Sequence, residues 1–70
     1  MKSEHIKEFI VLAEELNYTK AAKKLYISHS SLSKHIAEAE RELGVQLFVR
    51  TTHAVELTEA GRSVYRSFKS

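Results

Sequence analysis

Residues Ser28 to Gly44 read SHSSLSKHIAEAERELG, and the spacing within this stretch decides the fold. Leu32, Ile36, Ala39 and Leu43 recur at i, i+4, i+7 and i+11, the single stripe of a helix that buries one face. Ser28 offers an N-cap and Gly44 a C-terminal stop. At 100° per residue, Ser30, Ser33, Lys34, Ala37 and Arg41 fall on the face opposite the stripe. The front of the helix carries hydroxyls, His29 and Lys34 with no acid, whereas Glu38, Glu40 and Glu42 crowd its rear.

Upstream, the pattern predicts two more helices. Ser3 is positioned to cap a first helix, whose residues Ile6, Phe9, Ile10, Ala13 and Leu16 keep amphipathic spacing and which should end near Asn17. Thr19 is positioned to cap a short second helix, Lys20 to Leu25, with Ala21 or Ala22 and Leu25 inside and its lysines outside. A short helix, a tight Tyr26-Ile27 connection and a longer helix opening on small polar residues is the layout of a helix-turn-helix.

Downstream, VQLFV and AVEL are rich in β-branched and large apolar residues and fit a small hairpin, which makes the motif winged. The intervening RTTH has no Gly, Asn or Asp, so on local chemistry this hairpin is the weakest element. Thr58 then caps a fourth helix, where Ala60, Val64 and Phe68 repeat with Tyr65 beside them. That repeat runs to the end of the chain, as expected of a piece of a longer protein. The expected fold is mainly α, a winged helix-turn-helix with a three-helix core. Phe9, Tyr18, Leu25, Ile27, Phe48 and Val55 are assigned to the core.

Composition narrows the function. The chain has 70 residues, a formal charge of +2 and no Cys, so packing alone must stabilise one small domain. The apolar run Phe9 to Ala13 is too short for a signal peptide or a membrane span, which points to a soluble, cytoplasmic protein. Residues 17 to 37 carry Lys20, Lys23, Lys24 and Lys34 and no acid, while acids outnumber bases on both sides, in residues 1 to 16 and 38 to 46. Clearing carboxylates from one region suits a polyanionic partner, and chance clustering on a solvated face is the alternative. An enzyme is disfavoured. His5, His29, His35 and His53 are at least six positions apart, never at the i, i+4 spacing of two ligands on one helix face, and two Gly cannot build a phosphate-gripping loop. No catalytic residue, metal site or cofactor is expected.

Three segments, FIVLAEELNYTKAAKKLYIS, SLSKHIAEAERELGVQLFVR and VELTEAG, together resemble the N-terminal DNA-binding domain of the bacterial LysR-type transcriptional regulators. The resemblance spans nearly the whole chain in the family's order and spacing. It implies a winged helix-turn-helix over residues 1–57 and, over 58–70, the start of a linker helix that pairs two subunits. It also implies a C-terminal effector-binding domain beyond this chain, through which alone a small-molecule effector would act. The chain departs from the family at His29 and Ser30, where Gln-Pro is usual, at Ala39 for Leu, at Gln46 for Pro, and in the less basic TTHA of the wing.

The function that follows is sequence-specific binding of double-stranded DNA as a homodimer, with residues 29–43 in the major groove. Ser33 and Lys34 should reach base edges or phosphates. His29 and Ser30 occupy the first turn and are the candidates for sequence discrimination, His29 being either a donor to a base or phosphate or an ordinary exposed histidine. Ser28 combines capping with a place at the same edge. Arg50 matches the family's nearly universal Arg and, with Thr51 and Thr52, should meet the phosphate backbone, the alternative being a pair with Glu56. Thr19 and Lys20 stand at a helix N-terminus that can hold a phosphate. Ala60, Val64, Tyr65 and Phe68 form the expected dimer seam. The competing reading is a winged helix that docks another protein and has little DNA affinity.

Overall fold

The computed structural model describes residues 1–52 and 54–69. His53, in the expected hairpin turn, and Ser70, at the end of the expected linker helix, lie outside the described residues. The order of elements is α1 (Ser3–Glu15), α2 (Tyr18–Leu25), α3 (His29–Leu43), β1 (Phe48–Arg50), β2 (Val55–Leu57) and α4 (Glu59–Lys69). The strands pair antiparallel, with Phe48 opposite Leu57, Val49 opposite Glu56 and Arg50 opposite Val55.

The first three helices enclose one core. Phe9 and Leu12 of α1, Ala21 and Ala22 of α2, and Leu32, Ile36 and Ala39 of α3 are buried together with Leu47, Phe48 and Val55. Both alanines of α2 lie inside, which lets three helices approach closely around small side chains. Tyr18, Leu25 and Ile27 are only partly buried against this core. Leu43 departs from the stripe and is 43% exposed, bordering a groove with Met1, Ile6, Val64 and Phe68 instead of joining the core.

The helix starts differ from the expected caps at two of four positions. Ser3 does not cap α1: the Ile6 amide donates to the Lys2 carbonyl, so the helix already includes Ser3, and Lys2 stands at the cap position without a side-chain bond. Thr19 does not cap α2 either. Asn17 has extended backbone, and its side-chain oxygen accepts from the Lys20 amide at 2.9 Å, two residues before a Thr19 cap. Ser28 caps α3 by accepting from the Ser31 amide at 3.0 Å, and Thr58 caps α4 by accepting from the Gly61 amide at 2.9 Å.

The helix ends use left-handed backbone. Gly44 takes it at φ 70°, but so do Leu16 at 51° and Tyr26 at 58°. A side chain in that region costs about 1 kcal/mol or more, offset here by closing bonds from Leu16 N to the Leu12 carbonyl and from Tyr26 N to the Ala22 and Lys23 carbonyls. The turn of the helix-turn-helix is therefore set at Tyr26 without a glycine.

The hairpin turn lacks the usual residues and is closed by Thr51. Its hydroxyl donates to the Ala54 carbonyl and accepts from the Ala54 amide, alongside a Thr51 N to Ala54 O bond. Glu40 ties the wing to α3, its carboxylate accepting from the Leu47 amide at 2.7 Å and the Phe48 amide at 3.2 Å. This acid belongs to the Glu-rich rear of α3 in sequence, yet it turns toward the wing. Thr58 fastens α4 to the same segment by donating to the Gln46 carbonyl at 2.6 Å.

Candidate nucleic-acid interface

α3 presents the face that its spacing predicts. Ser30, Lys34 and Arg41 are exposed, and Ser33 and Ala37 half-buried, opposite buried Leu32, Ile36 and Ala39. His29 is exposed in the first turn. Ser28 is exposed as well, but its hydroxyl is engaged with the cap, accepting from the Ser31 amide and donating to the Ser31 hydroxyl at 3.0 Å. Thr19 and Lys20 are exposed in the first turn of α2.

Arg50, at the end of β1, faces this surface across a groove lined by Tyr18, Ser33, Ala37, Glu40, Gln46 and Val49. Its guanidinium carbon lies 4.6 Å from the centroid of the Tyr18 ring, a cation over an aromatic face. The expected alternative, a pair with Glu56, does not form among the described residues. Thr51 and Thr52 are exposed beside Arg50, with the Thr51 hydroxyl engaged in closing the turn. Sequence reasoning assigned Tyr18 to the core and missed that it borders this groove. Its ring is also 5.2 Å from that of His29. Burial pushes the Tyr18 phenol above its ordinary range, against the opposing pull of Arg50.

Most of the cations around this face form no ion pair among the described residues. Lys24 pairs with Glu15 at 2.6 Å, whereas Lys20, Lys23, Lys34 and Arg50 have no ion pair among the described residues. Of the rear acids of α3, Glu40 is turned to the wing amides and Glu42 faces the chain's N-terminal amine at 3.3 Å.

The expected dimer residues take mixed positions. Tyr65 turns toward α1, its hydroxyl donating to Glu14 at 2.8 Å, a bond that holds the Glu14 carboxyl below its ordinary range. Val64 is half-buried, and the exposed Phe68 ring meets Phe9 edge-on at 6.1 Å. Val64 and Phe68 also border an apolar groove with Met1, Ile6 and Leu43. Ala60 is half-buried.

Histidines separated in sequence do meet in the fold. The His5 and His35 rings stack at 4.9 Å, and His35 Nδ1 is 2.7 Å from a Glu8 carboxylate oxygen. Among the described residues no group of three or more His, Cys, Asp or Glu is placed to hold a metal ion. No helix among them is long and apolar enough to cross a membrane.

The sequence pattern described as "Bacterial regulatory helix-turn-helix protein, lysR family" matches residues 3–62. The chain belongs to the lysR family. Its resemblance to that family in three segments is thus confirmed over nearly its full length. A curated relative, the HTH-type transcriptional regulator BudR of Raoultella terrigena, is 46% identical over 65 residues, covering 93% of this chain and 22% of BudR. The chain spans less than a quarter of that regulator's length. Among solved structures, the BenM_DBD/benA site 1 DNA complex is 39% identical with a TM-score of 0.90, over 96% of this chain and 78% of that one. The CbnR_DBD-DNA complex is 33% identical with a TM-score of 0.93, over 99% and 79%. The winged arrangement of this lysR-family chain is therefore that of domains solved on DNA.

Proposed function

We propose that this chain is the double-stranded DNA-binding part of a LysR-type transcriptional regulator working in the cytoplasm of a bacterium, with α3 in the major groove and the wing on the phosphate backbone. The observation that carries this reading is that Lys20, Lys34 and Arg50, around the acid-free front of α3, form no ion pair among the described residues. Two relatives of this fold solved with DNA support it. Ser30, Ser33 and Lys34 approach base edges, His29 stands at the groove's rim, and Ser28, Thr19, Lys20, Arg50, Thr51 and Thr52 meet the backbone. Pairing of two chains through α4, along Ala60, Val64, Tyr65 and Phe68, would place the two recognition helices about 34 Å apart or a multiple of that distance. An effector would act through a further domain, and the chain's own role is binding, not catalysis.

Retardation of duplex DNA across a salt series tests the reading. Affinity should fall steeply with added salt, because each phosphate contact releases a counterion and contributes roughly 0.9 to the log–log slope. Absence of retardation at low salt, or a flat response, overturns it in favour of a protein-docking winged helix.

A further inference from the structure

Three elements of the interface converge on one side chain. Tyr18 is the first residue of α2, its body packs against the core, and its ring is close both to Arg50 at the end of β1 and to His29 at the start of α3. The groove between α3 and the wing is lined by the same tyrosine.

We propose that Tyr18 is a positioning residue for DNA binding, its ring holding the Arg50 guanidinium and the His29 imidazole in the arrangement that meets a phosphate backbone. This inference rests on the DNA-binding reading above and names a residue through which that surface is ordered before DNA arrives. A free arginine side chain loses rotamer entropy when it is fixed. Fixing it in advance removes part of that cost from binding. The choice of an aromatic partner matters. A carboxylate paired with Arg50 would cancel its charge and repel phosphates, and Glu40, which lines the same groove, is instead engaged by the wing amides; a ring attracts the cation through its quadrupole and leaves its positive charge for DNA. The phenol is not required for that attraction, and the ring is.

A double-mutant cycle with a mixed-sequence duplex, read by fluorescence anisotropy, tests the proposal. Tyr18→Phe should bind within twofold of the unaltered chain. Tyr18→Leu, which keeps apolar bulk, should bind roughly three- to fivefold more weakly. In an Arg50→Ala background the same Leu substitution should have a much smaller effect, because its main target is gone. Equal losses in both backgrounds, or no loss with Leu, overturn the proposal. Should Tyr18→Leu fail to fold, ring-current shifts on the Arg50 side-chain protons of the unaltered chain decide the matter: upfield shifts before DNA is added support the proposal, and solvent-like values overturn it. A chain that shows no salt-dependent DNA binding sinks the DNA-binding reading itself, whereas strong binding with additive losses sinks only the role of Tyr18.

Discussion

Lys34 stands exposed on the free face of α3, one turn beyond Ser30, without an ion pair among the described residues. A lysine in that place donates to a guanine edge or to phosphate, and the two roles separate by experiment. Lys34→Ala should cost about 1–3 kcal/mol on the preferred duplex and relax the base preference at one position, read by selection from random duplexes. Unchanged selectivity would make Lys34 a phosphate contact. Not every charged residue of α3 is read so directly. Glu40 looks like its neighbours Glu38 and Glu42 in sequence, yet its carboxylate accepts two wing amides. Each such charged bond contributes about 1.5–3 kcal/mol. Nothing in the local pattern distinguishes it, because its partners lie at Leu47 and Phe48, beyond the Gly44 turn.

At the scale of elements, α4 depends on one close approach. A Cβ at Gly61 would sit 2.1 Å from the Leu47 carbonyl oxygen and 2.9 Å from a Leu57 methyl. The backbone contact cannot rotate away as a side chain can. Alanine in place of Gly61 would gain about 1 kcal/mol of helix propensity on local grounds. Overpacking reverses the sign, and Gly61→Ala should lower stability by about 1–3 kcal/mol in urea unfolding. A stabilised variant would show that α4 does not pack on the Leu47 segment. The same segment receives the Thr58 hydroxyl at the Gln46 carbonyl, so helix start and close approach fix α4 together. The Thr58 cap and the Gly44 stop were legible because each precedes or follows a clear periodic stripe. The start of α2 was less so: Asn17 and Thr19 are both capable caps, and which one closes the turn depends on where the backbone leaves α1 at Leu16.

For the whole molecule, the apolar groove bordered by Met1, Ile6, Leu43, Val64 and Phe68 includes two residues of the proposed α4 pairing. Sedimentation over a concentration range should show self-association, and a monomer at every concentration would remove pairing by this segment. The sequence by itself determined the order of elements, the face of α3 turned away from the core and the family, because periodicity, caps and charge segregation are local properties of the chain. Only the tertiary structure decided that Tyr18 lies beneath Arg50, that Glu40 serves the wing, that Leu43 ends outside the core and that His5 meets His35. Those relations join residues on different elements, and their distances follow from how the helices cross and where the wing is anchored, which no local pattern encodes.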